Sequence, residues 1–277
     1  MSVHKIAVDL LSKNEEFAFA TIIEDSGSTP RSKGAKMIVK NDGTIYGTVG
    51  GGSMEADCIN KSIDCINNKE SIVYDFNLSN NDAAKSDMIC GGKGKMSIDY
   101  IDYKDSRNIK FFENELEKES NANGKAYIFG AGHVSKYVAE VLDMLEFETI
   151  VIDDRAEFAN KERFTKSKVV VLDSLEDLSS IEVCENSYIL IITRGHMHDS
   201  NVLEWALKTK AYYIGMIGSK RKAKLTYDRL LEKGLRSEDL DKVHCPIGIK
   251  LKAQTPAEIA ISIGAELINC RADKINL

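Results

Sequence analysis

The chain has 277 residues, of which 43% are hydrophobic and 29% charged, with a formal net charge of −6. That length suits about two domains, and the composition is ordinary for a globular protein with sizeable cores. A mildly acidic chain is not built to coat nucleic acid or an anionic membrane, and no apolar run reaches the ~20 residues that span a bilayer.

The opening stretch, MSVHKIAVDLLSKNEEF, carries acids where a secretory signal has none. It reads as an amphipathic helix with Val3, Ile6, Ala7, Leu10 and Leu11 on one face. Strand-like runs follow at 17–23, 36–39, 45–49, 71–76 and 95–101, with a helix from Met54 to about Asn67. These strands cluster, so residues 1–103 read as a mixed α+β domain. The polar segment 104–125 reads as a linker: its middle suits a short helix and its SNANG end a loop. From Ala126 the pattern becomes regular. Short apolar strands at 126–129, 149–152, 169–172, 188–192 and 212–217 alternate with helical segments, the signature of a doubly wound parallel sheet over 126–277. A last helix starts at a capping box, with Thr255 as N-cap, Pro256 at N1 and Glu258 at N3. The fold class is therefore α/β, a mixed N-terminal domain followed by a Rossmann-like one.

The densest motif is GTVGGGSME, with glycines at 47, 50, 51 and 52. Ser53 reads as the N-cap of the following helix, with Glu55 in its first turn. A glycine loop opening a helix presents free N–H groups to an anion. A plain turn would need one glycine, so Gly50, Gly51 and Gly52 are candidate ligand contacts. The run DSGSTPRSKGAKM adds Arg31, with Ser28, Thr29 and Lys33, as phosphate-type contacts on a loop that could equally be solvated. Cys90, before Gly91 and Gly92 in MICGGKGK, is a thiol that glycines expose and Lys93 and Lys95 favour as thiolate. A thiolate is a soft ligand for a transition metal or for sulfur transfer. All six cysteines lack a CxxC spacing, which points to free thiols in the cytoplasm. Cys58 and Cys65 fall on the core side of the first domain's helix.

In the second half, FGAGHVSK places Gly130, Gly132 and His133 in a first βα turn, with Ser135 where a dinucleotide fingerprint has its third small residue. Asp153 ends the next strand and suits a ribose hydroxyl, while Arg155 suits a 2′-phosphate. Two later strand ends carry TRGHMHD (Thr193, Arg194, His196) and GSKRK (Gly218, Ser219, Lys220). Strand ends of a doubly wound sheet line one crevice, so these groups are expected around an anionic ligand, NAD(P) or another nucleotide. The basic run also reads as a solvated helix start, although cations are unfavourable there. His196 and His198 alone are too few ligands for a metal site. Cys245, beside His244, reads as a packing residue.

Taken in order, GSTPRSKGAKM, GTVGGGSMEAD, MICGG, FGAGHV, IDDR, TRGHMHD, IGMIGSKRK, HCPIG and TPAEIAISIGAELI resemble the XdhC/CoxI family, the xanthine dehydrogenase accessory proteins. The resemblance covers roughly residues 17–268, and Ser135 is its main departure. It implies a CoxI-like N-terminal domain, a C-terminal Rossmann domain, and binding of the molybdenum cofactor. It also implies protection of the cofactor's sulfurated form and help with its insertion into xanthine dehydrogenase or a related molybdenum hydroxylase, with a cysteine desulfurase as sulfur source. By resemblance, Gly50, Gly51, Gly52 and Glu55 contact the cofactor, and Cys90 contacts molybdenum or its sulfur. The expectation is a non-catalytic maturation factor, plausibly a homodimer. The alternative is an NAD(P)-dependent oxidoreductase using the Rossmann half.

Overall fold

The computed structural model describes residues 2–78 and 92–275. Two compact units divide the chain, Met1–Glu117 and Lys118–Leu277.

The first unit contains α1 (Val3–Ser12), β1 (Phe17–Ser26), β2 (Lys36–Val39), β3 (Ile45–Gly47), α2 (Gly52–Asn68), β4 (Ile72–Asn77), β5 (Lys93–Ile101) and the start of α3 (Ser106–Asn123). Its strands form one antiparallel sheet in the order β3-β2-β1-β5-β4. Central β1 is apolar on both faces, because each face is covered. Phe17 and Phe19 pack with Ala7, Leu10 and Leu11 of α1 and with Phe112 of α3. Ala18, Ala20 and Ile22 pack with Met54, Cys58 and Cys65 of α2. Each fully buried phenylalanine contributes about 2–3 kcal/mol by leaving water. Both helix cysteines are core residues, and burial pushes the Cys58 thiol up to about 11.

The segment read as a linker folds as an 18-residue helix, α3, that continues to Asn123. Two anchors account for its start. Asp105 accepts from the Arg107 N–H at 3.0 Å, and Phe112 is wholly buried. The glycine-run helix also starts differently from expectation. Its N-cap is Gly51, and Ser53 lies inside α2. β3 stops at Gly47, whose φ of 80° leaves the strand region.

The second unit continues with β6 (Lys125–Phe129), α4 (His133–Met144), β7 (Glu148–Asp153), β8 (Lys168–Val171), β9 (Ser187–Ile191), α5 (His196–Ala206), β10 (Tyr213–Met216), α6 (Lys220–Glu232), α7 (Ser237–Leu240) and α8 (Pro256–Ile275). The strands are parallel in the order β10-β9-β6-β7-β8. Chain direction across the sheet reverses between β6 and β9, which is where a doubly wound sheet opens its crevice. One face packs α4 and α8 through Val138, Leu142, Ile263 and Leu267. The other packs Val202 and Leu203 of α5 and Leu230 of α6. The capping box of α8 forms as expected: the Glu258 N–H donates to Thr255 Oγ1 at 3.2 Å, and Glu258 accepts from the Thr255 N–H at 3.0 Å. Among the described residues, no helix is long and apolar enough to cross a membrane.

Candidate functional site

In the first unit, three segments far apart in sequence meet around the glycine loop. A Cβ at Gly50 would lie 2.8 Å from Pro30 Cβ, and one at Gly92 would lie 2.5 Å from Thr29 Cγ2. Only glycine permits approaches this close. The Ser28–Arg31 stretch therefore sits against both the glycine loop and the head of β5. Asp25 shapes that stretch by accepting from the Lys33 N–H at 2.8 Å and from Thr29 Oγ1 at 3.4 Å. Arg31 is exposed and has no hydrogen-bond or ion-pair partner among the described residues. Cys90 and Gly91 lie outside the described residues.

The loop's own N–H groups are partly in use. Glu55 accepts from the Val49 and Gly51 N–H groups, each at 3.3 Å, and from Thr48 Oγ1, while the Gly50 N–H donates to Thr48 Oγ1 at 3.0 Å. The Glu55 carboxylate thus organises the loop. What remains is the start of α2, where the first N–H groups have no intrahelical acceptor and no side chain caps them. Gly51 stands over it with φ of 79° and no atom within 4 Å of the place a Cβ would take. That open face, with Arg31 on a neighbouring loop, suits a phosphate group.

In the second unit, the βα turn is closed on itself. Gly130 has φ of 107°, and a Cβ there would collide with the Ile192 carbonyl oxygen. Asp153, 1% exposed, accepts from the Ala131 N–H at 2.7 Å and from both Nε and Nη2 of Arg155 at 2.8 and 2.9 Å. Burial alone would raise its carboxyl, but the guanidinium and the two backbone N–H groups outweigh that and hold it at about 2. Asp153 and Arg155, the residues expected at a ribose and a 2′-phosphate, bind each other. Arg163 completes the clamp by donating to the Ala131 carbonyl at 3.2 Å. Gly132 caps α4 without a side-chain bond, and His133 is exposed at the helix start. Ser135 is buried, and its Oγ has no hydrogen-bond partner among the described residues.

The remaining strand ends divide their charges. Arg194 makes a two-pronged pair with Asp154 at 2.7 and 2.8 Å. Thr193 Oγ1 donates to buried Asp199 at 2.6 Å, and Asp199 pairs with Lys222. Ser219 caps α6 by accepting from the Lys222 N–H, and Lys220 is exposed beside it. His196, Ser219, Arg221 and Lys222 line one pocket of about 420 Å³, which Gly218 and Lys220 do not.

One cluster had no signal in the sequence. Glu266 of α8 accepts from Tyr213 Oη at 2.7 Å and the Gly248 N–H at 2.5 Å, and lies 2.9 Å from His244 Nδ1. Burial would raise the Glu266 carboxyl, but those partners keep it below the ordinary carboxylate range. Burial also pushes the Cys245 thiol up to about 11, which agrees with packing.

Comparison with known proteins agrees with this architecture. Residues 126–267 match the family model of the XdhC Rossmann domain, and residues 10–77 match that of the XdhC and CoxI family. Over 98% of its length the chain is 29% identical to the uncharacterized protein YqeB of Escherichia coli, and it spans 46% of that protein. It is 22% identical to a probable xanthine dehydrogenase subunit of Bacillus subtilis, covering 97% of each chain. It is 21% identical to the molybdenum cofactor insertion chaperone PaoD of Escherichia coli, covering 98% of this chain and 88% of that one. A crystal structure from Bacillus halodurans, described as a xanthine dehydrogenase, shares the fold with a TM-score of 0.82, covering 99% of this chain and 96% of its own at 22% identity.

Proposed function

The chain belongs to the XdhC/CoxI family, and from that premise we propose that it binds the molybdenum cofactor and delivers it to xanthine dehydrogenase or a related molybdenum hydroxylase. The observation that carries this reading is that the Ser28–Arg31 stretch packs against both Gly92 and the glycine loop that leads into the open start of α2. The name of PaoD supports it. In the proposal, Gly51, Gly52 and Arg31 hold the cofactor's phosphate, and Glu55 keeps the loop in shape. Cys90 is the proposed contact for molybdenum or its terminal sulfur, the soft end that an ordinary nucleotide lacks. When bound, the cofactor supplies the metal–sulfur centre that the client enzyme needs, and this chain binds and shields it. Assistance with sulfuration, using a cysteine desulfurase as sulfur source, belongs to the same proposal.

The oxidoreductase reading has less support, because Asp153 and Arg155 are engaged with each other where a ribose would need an acceptor. Fold alone does not carry chemistry. The test is reconstitution of purified apoprotein with molybdenum cofactor, followed by gel filtration and cofactor assay. Wild type should retain cofactor, and Cys90→Ala and Gly51→Val should each lose most of it. No retention by wild type overturns the reading, and full retention by Cys90→Ala removes the thiol from the site.

A further inference from the structure

We propose that the pocket between the first turns of α5 and α6 is a separate binding site for a phosphate-bearing organic ligand of nucleotide size. This inference goes beyond the accessory role and stands whether or not the chain carries molybdenum cofactor. The pocket lies on the α5/α6 face of the second unit's sheet, and Gly130–His133 do not contribute to it.

Four observations converge. First, two helices of 11 and 13 residues begin at its rim, α5 after Gly195 with no side-chain cap and α6 after Ser219. Both helix dipoles therefore present their positive ends to one volume. Second, cations crowd where they are least at home. α6 opens with Lys220, Arg221 and Lys222 and has no acid in its first turn. Arg221, Lys222 and Arg229 all line the pocket, and no carboxylate does. Of the three, Lys222 is answered by buried Asp199 and by the Ile217 carbonyl. Arg221 and Arg229 have no carboxylate partner among the described residues; Arg229 reaches only Met197 Sδ, at 2.6 Å. Lys220, Arg221 and Lys222 at the start of α6 raise its energy unless an anion joins them, whereas Arg229 reaches the pocket from the last turn of that helix.

Third, Ser200 lines the pocket, is 1% exposed, and has no hydrogen-bond partner for its Oγ among the described residues. A buried hydroxyl left unpaired is costly, and a phosphate oxygen at the pocket wall would satisfy it. Fourth, Leu225 forms an apolar wall although it is 64% exposed. A bare inorganic anion gains nothing from that wall, whereas a flat ring covers it. The volume of about 420 Å³ accommodates such a ring beside its phosphates.

The shared chemistry is a phosphate ester or diphosphate, which a free nucleotide or a phosphorylated heterocyclic cofactor would each supply. The test is calorimetric titration of the full chain with ADP and, separately, with inorganic pyrophosphate, at low and high salt. Wild type should bind ADP saturably at one site, more weakly as salt rises. Arg221→Ala and Arg229→Ala should each weaken it by about tenfold. Ser200→Ala should weaken it several-fold, and Lys224→Ala, on the same helix but outside the pocket, should leave it unchanged. Arg221 is exposed, so its loss should leave the thermal unfolding profile intact. Failure of wild type to bind either probe, or unaltered affinity in both arginine variants, overturns the site. Equal affinity for ADP and pyrophosphate, unaffected by Leu225→Asn, overturns the organic part of the ligand.

Discussion

Both units open a helix on a glycine turn, and both turns hold a carboxylate of their own chain, yet the two carboxylates are held very differently. Glu55 is half-buried and accepts only from neutral donors, the Thr48 hydroxyl and two backbone N–H groups at 3.3 Å, with no ion-pair partner among the described residues. Asp153 is buried and takes short bonds from the Ala131 N–H and a two-pronged guanidinium. Charge-assisted, bidentate contacts are roughly twice as strong as neutral ones. The second unit's turn is therefore a permanent brace that ties β6 to β7. The first unit's turn is loosely braced and keeps an open helix start.

The comparison breaks most visibly at Asp153. Asp153→Ala strips the partly buried Arg155 guanidinium of its two-pronged partner, leaving it only Asp154 at 3.9 Å, and should destabilise the second unit by about 3 kcal/mol. Urea unfolding followed by tryptophan fluorescence measures this directly, because the chain's one tryptophan, Trp205, lies in α5. A loss below about 1 kcal/mol would show that the turn holds without its brace.

Acid should sharpen the same contrast. The Asp153 carboxyl sits at about 2 when folded against an ordinary 3.8, a depressed value. Its contribution, about 2 kcal/mol, is therefore fully present above pH ~4 and is lost as pH falls toward 2. Comparing wild type with Asp153→Asn between pH 5 and 2 isolates it: the variant should lack that part of the acid sensitivity. Identical profiles would assign the acid loss to other carboxylates.

The smallest effect belongs to Glu55. Glu55→Gln keeps an acceptor for Thr48 and removes only charge, so it should cost about 1 kcal/mol or less. The readout is hydrogen exchange of the Val49 and Gly51 amides, which should speed up while α2 stays protected. A cost equal to that of Asp153→Ala would erase the distinction between the two turns.

Much of this was legible because periodicity reports burial. The near-continuous apolar runs of the second half announce strands buried on both faces, and they pair in parallel as those runs imply. Thr255, Pro256 and Glu258 mark a helix start by local chemistry alone, and the start is there. The helical end of α3 was not legible, because SNAN is polar and its turn-forming residues are carried by a helix anchored upstream at Phe112. Glu266 had no local signal either, since its partners Tyr213, His244 and Gly248 are brought to it from elsewhere in the chain.

By itself the sequence determined where most helices and strands lie, which half is doubly wound, the family, and the residue types gathered at each strand end. Those features follow from spacing and local propensity, which a linear string carries in full. Only the tertiary structure decided which charges are already answered. Asp153 meets Arg155 and Ala131, Arg194 meets Asp154, and Lys222 meets Asp199, while Arg31 and Arg221 find no such partner among the described residues. A hydrogen bond depends on ångströms and angles between residues that chain folding brings together. Whether a charged side chain braces the fold or faces a ligand is set by those distances.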